Sequence, residues 1–536
     1  MRRNHSIFYH TMLLTGVNVL LRGMSMLFQV YLAGRIGAAG LGLLQLILSV
    51  GGFAMTLGIS GARVAVLYLS AEEFGHRRPY GVRSAVLHGL FYGAVCSALA
   101  ACALYFGAGL AAERWIGDMR AVPALRLLAL SLPANTFCAI LGGYFTACGR
   151  IRHLAAVEVA ERLIALALTF ALLYWAGNDL ARACCALVLG SALAAAVSAA
   201  WLLHLFLRAT TAQKPSQPLH MPSRLLRLTA PLAVSDYLRA GLSTLEQFLI
   251  PWGLARAGGS QMRSMAAYGT ICGMVFPVLM FPAAALYALS DLLVPELARA
   301  DAEENEARIH MLTDRCLRIG ALFAAGCAAI MLALADALGE LLYQSTEAGF
   351  YLRLFAPTIL FLYLDAIVDG MCKGLGQQLA SARYNTLTSL LDVLLLYLLL
   401  PRFGVAGYYC SFVISHLVNF ALSLRRLLRV TGYRPQGVFF AKTLLCACTA
   451  GLGCFCVTLP DLWAHMAARC AVFAVLLPFM LWMTGTLSRD DTRWLRGTFF
   501  PGGMRKKSVD TTGETPYNET ESLAFRRKKY QRGIHP

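Results

Sequence analysis

Runs of about 20 or more predominantly apolar residues, the length a helix needs to cross a hydrocarbon core, recur along nearly the whole of this 536-residue chain. Lipid leaves no water for backbone N–H and C=O groups, so only helices and closed barrels cross it. Continuous apolar runs, rather than ten-residue alternating ones, select helices. Fourteen spans are expected at about 9–33, 41–69, 82–110, 121–147, 154–176, 180–207, 226–255, 265–295, 311–338, 351–373, 380–400, 405–429, 438–459 and 464–487. Pro133, Pro277, Pro282 and Pro357 are the expected kink sites. The composition agrees: 58% hydrophobic and 14% charged, against about 45–50% and about 25% in soluble domains. The expected fold is an all-α polytopic membrane protein with 14 transmembrane helices.

The net charge of +18 would point a soluble chain toward nucleic acid. Here it follows topology. With the N-terminus inside, about 33 basic residues fall in cytoplasmic segments and about 10 outside, so both termini are expected in the cytoplasm and no nucleic-acid partner is. The 16 cysteines show neither CxxC pairs nor zinc spacing and read as small buried hydrophobes. The first span has no small-residue cleavage site and reads as an uncleaved helix.

Residues 208–225 (RATTAQKPSQPLHMPSRL) are rich in Pro, Ser and Thr and read as a cytoplasmic linker between halves. A repeat supports this division. Gly143-x5-Gly149 recurs as Gly370-x5-Gly376, and the same offset carries Gly177 onto Gly404. Leu21-Arg22-Gly23 resembles Leu238-Arg239-Ala240. The expected domains are an N-terminal lobe (1–207, spans 1–6), the linker, a C-terminal lobe (226–430, spans 7–12), spans 13–14 (431–487) and a basic, disordered cytoplasmic tail (488–536).

Within the spans a few polar residues keep helical spacing. Asn18, Arg22, Ser25 and Gln29 share one face of span 1. A guanidinium inside an apolar span costs about 2.5–3.5 kcal/mol on insertion scales, so it normally faces a bundle interior or watery cavity. Span 2 carries Gln45, Ser49, Gly52, Thr56 and Arg63, readable as close packing or as a polar stripe ending in a charge. In span 7, Asp236 and Glu246 either neutralise Arg239 along one face or leave it to face Arg22 across a cavity. Glu158 and Arg162, four apart in span 5, are placed to pair within their helix, as are Asp369 and Lys373. Asp365 and Asp392 lack a local partner and are candidates for coupling to a proton or sodium gradient, or for pairing with a distant arginine. No catalytic, cofactor or metal motif is evident, so a transporter is expected rather than an enzyme.

The opening LLRGMSMLFQVYLAG, the R-x-G-x-x-G-L-G run from Arg35 to Gly42, GISGARVAV, DGMCKGLGQ in span 10 and LLLPRFGVAGYY entering span 12 resemble the oligosaccharide-lipid flippases. These belong to the multidrug/oligosaccharidyl-lipid/polysaccharide exporter superfamily, and the stage V sporulation protein B and lipid II flippase group is most similar. The resemblance covers about residues 7–487. It implies two six-helix lobes around a central cavity working by alternating access, with spans 13–14 forming a groove for a polyprenyl tail. The implied substrate is a polyprenyl-diphosphate-linked saccharide, a peptidoglycan precursor or polysaccharide repeat unit, moved across the bacterial cytoplasmic membrane. Cell-wall or polysaccharide synthases are implied partners, and gradient or membrane potential the energy source. By position Arg22, Arg63 and Arg239 are the candidates for the diphosphate. Asn18, Ser25, Gln29, Gln45, Asp236 and Glu246 form the candidate polar face. The second half has no counterpart of Arg63, since its matching region reads LLVPELARADAE. The alternative is a proton- or sodium-coupled multidrug exporter of the same architecture. Labelling of a cysteine placed in 208–225 by an impermeant thiol reagent should fail in intact cells and succeed after lysis; labelling in intact cells contradicts the topology.

Overall fold

The computed structural model describes the backbone of residues 2–76, 78–177, 179–210 and 221–486, with side chains from residue 20 onward except at 79, 151, 291 and 292. The Asn18 side chain, most of the 208–225 linker and the tail from residue 487 lie outside the described residues. Every regular element among them is helical. In the N-terminal half these are α1 (Arg2–Ile59), α2 (Ala62–Gly75), α3 (Pro79–Ala111), α4 (Val122–Ala147), α5 (Ile151–Ala176) and α6 (Leu180–Thr210). There follow α7 (Met221–Arg256), α8 (Gln261–Tyr268), α9 (Phe276–Met280), α10 (Ala283–Ala302) and α11 (Glu306–Tyr343). The chain then forms α12 (Thr346–Phe355), α13 (Ile359–Gly374), α14 (Gln378–Phe403), α15 (Val405–Thr431), α16 (Gly437–Phe455) and α17 (Leu462–Met483).

Local chemistry sets the boundaries. Asn305, Ser345 and Asp461 accept hydrogen bonds from the backbone N–H three residues on (2.9, 3.2 and 2.8 Å) and so start α11, α12 and α17. Three of the four expected proline sites coincide with an interruption. Pro277 opens α9, Pro282 precedes α10, and Pro357 lies in a 3-10 turn between α12 and α13. Pro133 is carried inside an unbroken α4. The span expected at 265–295 is the most broken: α8 passes into a π-helical turn at Gly269–Val275 before α9 and α10. Gly37 (φ 68°, ψ 176°) breaks α1 into two arms, corresponding to spans 1 and 2.

Among the described residues, eleven stretches are long and apolar enough to cross a membrane, and this is a multi-pass helical membrane protein. Fourteen is not reached on that criterion: the two arms of α1 count as one stretch, and α5 and α7 are not among the eleven. The glycines of the sequence repeat take matching backbone conformations. Gly149 and Gly376 have φ of 69° and 71°, and Gly177 and Gly404 have 64° and 57°. Helix α17 packs chiefly on α16 and α11 among the described residues. Arg469 anchors it there, donating to the carbonyls of Ala333 (2.5 Å) and Val457 (3.2 Å).

The seam that holds the N- and C-terminal halves together is α1 against α8 and the π-turn. A Cβ on Gly42 would run into the Met265 carbonyl, and one on Gly269 into the Ala38 carbonyl. Backbone therefore meets backbone, which only glycine permits. Gly269→Val should cost about 1–3 kcal/mol by overpacking and lower the thermal midpoint of the purified protein. Gly34→Ala, where a Cβ meets open space, should leave it unchanged.

Candidate functional site

Two cavities flank the second arm of α1, where the consecutive residues Met55 and Thr56 line opposite ones. The first, about 590 Å³, is bordered by α1, α2, α4, α5, α6 and α10. Arg22, Ser25 and Arg63 line it together with Glu158, Glu161 and Arg162 of α5 and Tyr287 of α10. Arg22 stands over the Tyr287 ring with its Cζ 4.9 Å from the centroid, a cation–π contact. Ser25 is turned back to the Leu21 carbonyl at 2.9 Å. Among the described residues no ion pair includes Arg22, Arg63 or Arg162. Glu158 and Arg162, expected to pair along α5, line the cavity instead.

Backbone geometry presents Arg63. Ser60 and Gly61 (φ 49° and 72°) turn the chain from α1 into α2, and Arg63 sits in the first turn of α2. Gly143 of α4 comes so close that a Cβ there would stand 2.6 Å from the Arg63 carbonyl. The small residue of the repeat motif is thus what lets α4 and α2 close on the site.

The second cavity, about 630 Å³, lies between α1, α7, α14 and α15. Gln45, Glu246, Asp392 and His416 line it with Phe53, Phe276, Tyr408 and Phe412, and among the described residues no lysine or arginine does. Asp392 accepts from Ser411 at 3.2 Å. His416 is held by the Phe412 carbonyl (3.0 Å) and stacks on the Phe412 ring, centroids 4.1 Å apart.

The remaining expectations divide. Arg239 is not brought to Arg22. It lines neither cavity, is 72% exposed, and stands 3.7 Å from Asp236, its neighbour on the same helix face. The polar side of α7 facing the second cavity is instead Ser243, Glu246 and Gln247. Gln29 and Asp236 line neither cavity, and Asp365 lies away from both. Asp365 accepts from Asn419 at 3.0 Å, its other oxygen buried without a partner, while Asp369 pairs with Lys373 at 2.6 Å. Tyr287 and His416 were not singled out by sequence, since a lone aromatic or histidine on an apolar helix gives no signal. Arg162 did give one, as a charge inside an apolar run.

The halves also meet beyond the cavities. Arg224 at the start of α7 bridges Glu72 (2.8 Å) and Glu73 (2.7 Å) at the end of α2, and Glu73 is only 1% exposed. Ser60 bonds Tyr92 at 2.9 Å and also Tyr237. Arg224→Ala strands a buried carboxylate and should lower the thermal midpoint. The double variant with Glu73→Gln should recover part of that loss; no recovery would mean the pair is not what holds the two ends together.

Such an arrangement, broken helices around polar cavities, is the kind found in the class of helical membrane transporters built from internal repeats. Comparisons with known proteins narrow it. The family described as "Polysaccharide biosynthesis protein" matches residues 8–258. Stage V sporulation protein B of Bacillus subtilis (strain 168) is 23% identical over 414 residues, 74% of this chain and 79% of that protein. Sporulation protein YkvU of the same organism is 22% identical over 273 residues, 50% and 61% of the two chains. The fold matches lipid II flippase MurJ in an inward closed conformation with a TM-score of 0.70 at 11% identity, covering 88% of this chain and 98% of that one. An inward-facing multidrug resistance MATE family transporter gives 0.55 at 15%, covering 77% and 99%. The chain is thus similar in sequence to stage V sporulation protein B and to the polysaccharide biosynthesis family, and shares its fold with the lipid II flippase and MATE transporter structures.

Proposed function

We propose that this chain is a flippase that carries a polyprenyl-diphosphate-linked saccharide across the bacterial cytoplasmic membrane by alternating access, and is not an enzyme. The observation that carries the reading is the first cavity, where Arg22, Arg63 and Arg162 converge with no ion pair among the described residues. Three guanidiniums against Glu158 and Glu161 leave one positive charge in excess, which suits an anion. Arginine offers a planar fork of donors matched to phosphate oxygens. Tyr287 presents a ring face that holds Arg22 at the cavity wall. The sugar requires the hydrated space of the cavity, while the tail remains in lipid.

On this reading fourteen spans cross the membrane with both termini inside, counting the two arms of α1 and adding α5 and α7. Exposed tryptophans at or near helix ends, Trp115, Trp175, Trp252, Trp463 and Trp482, support interfacial anchoring at both faces. The halves act as two lobes, and α16–α17 offer exposed apolar residues such as Leu445, Leu452 and Val475 for the tail. The glycan, the coupling ion and partner synthases belong to the same proposal. Superfamily relatives that export drugs share the fold, and the arginine cavity favours the anionic lipid over them.

In reconstituted vesicles, Arg22→Ala and Arg63→Ala should each lower flipping of a polyprenyl-diphosphate saccharide at least tenfold, about 1.4 kcal/mol, with folded yield retained. Arg239→Ala should change it less than threefold. Unchanged flipping in both of the first two variants refutes the anion site.

A further inference from the structure

A strained backbone position sits beside the arginine cavity. Among the described residues three non-glycines lie in the left-handed region: Ser60, Glu304 and Gln344. Glu304 and Gln344 are exposed at helix ends, whereas Ser60 is only 2% exposed. A side chain in that region is sterically penalised and stays there only where its surroundings hold it. Glycine would make the same turn without the penalty, so what serine adds here is its hydroxyl. That hydroxyl is held from both halves of the chain. It bonds the hydroxyl of Tyr92 on α3 at 2.9 Å and that of Tyr237 on α7. Tyr237 also donates to the Leu57 carbonyl at 3.4 Å. Gly61 continues the turn with φ 72°, and a Cβ there would stand 3.0 Å from the Thr229 carbonyl of α7. The turn therefore rests directly on the opposite half.

The same turn leads straight to the anion site. Arg63 follows Ser60 by three residues, in the first turn of α2, and lines the arginine cavity. Ala62 between them is buried and α2 begins there, so the direction in which Arg63 leaves the backbone follows the turn. Tyr237 belongs to the C-terminal half and lines neither cavity. We propose that Tyr237 is a positioning residue for the diphosphate: it clasps Ser60 from the opposite half and thereby aims Arg63 into the cavity. Its hydroxyl, rather than its ring, carries this role. The inference rests on the flippase reading and adds to it a residue outside the site on which the site depends.

The test measures the affinity of the full-length protein in nanodiscs for undecaprenyl diphosphate. Tyr237→Phe removes one neutral hydrogen-bonding group and should weaken binding about fivefold. Ser60→Gly, which permits the left-handed turn but lacks the hydroxyl, should weaken it by a similar factor. In the Arg63→Ala background Tyr237→Phe should have no further effect, because the group it aims is gone. Tyr343→Phe serves as the control for a merely structural hydroxyl, since that group bonds the Met274 carbonyl at 3.0 Å, between α11 and the π-turn; it should leave affinity at the wild-type level. Unchanged binding in either Tyr237→Phe or Ser60→Gly overturns the inference, and so does a Tyr237→Phe loss of equal size with and without Arg63. If Arg22→Ala and Arg63→Ala both leave binding unchanged, the flippase reading fails and the inference falls with it. Loss in those two variants with none in Tyr237→Phe removes the inference alone.

Discussion

A charged group inside an apolar bundle must either be paired or face space that water and ligand can enter, and the interior of this protein is arranged around that constraint. Arg22, Arg63 and Arg162 take the second course, lining one cavity without an ion pair among the described residues. Arg224, Arg318, Arg353 and Lys373 take the first, each paired with a carboxylate. The difference separates charges met by a carboxylate, within a helix or between helices, from charges that face cavity space. The same rule applies to the acidic cavity, where Glu246 and Asp392 share a space that, among the described residues, His416 lines but no lysine or arginine does.

Glycine makes these spaces possible. Backbone-to-backbone packing at Gly42 and Gly269 closes one end of the interface between the halves. Gly143 brings α4 against α2 beside Arg63, and Gly61 turns the chain where α1 gives way to α2. At the other end the interface is polar, with Arg224, Glu72, Glu73, Ser60 and Tyr237 joining α2 to α7. A small-residue seam at one end and a hydrogen-bonded seam at the other differ in what breaks them. Tight apolar packing yields only to a rigid-body movement, whereas ion pairs and hydroxyl contacts exchange with water. On the flippase reading proposed above, that asymmetry suits two ends that open in turn.

Much of the fold was legible in the sequence, because apolar length and proline position report directly on helices in lipid. The apolar runs fall on helices, and three of four proline sites mark an interruption. Gly149, Gly376, Gly177 and Gly404, picked out by a common offset, share their backbone conformations in pairs. What periodicity does not encode is direction. It placed Arg22 and Arg63 on polar stripes, but could not tell that Arg239, on the corresponding helix, turns to Asp236 while Glu246 two turns on reaches a cavity. Nor could it tell pairing from convergence on α5, where Glu158 and Arg162 satisfy the spacing rule yet line the site. Tyr287 and His416 became visible only once distant helices were brought together.

The central claim, that the arginine cavity receives the diphosphate of a lipid-linked saccharide, is most directly tested by an experimental structure of the full-length protein with a polyprenyl-diphosphate saccharide bound. Phosphate density within hydrogen-bonding distance of the guanidiniums of Arg22 and Arg63 is the predicted result. Phosphate density beside Arg239, or an empty arginine cavity with the ligand held elsewhere, would contradict it.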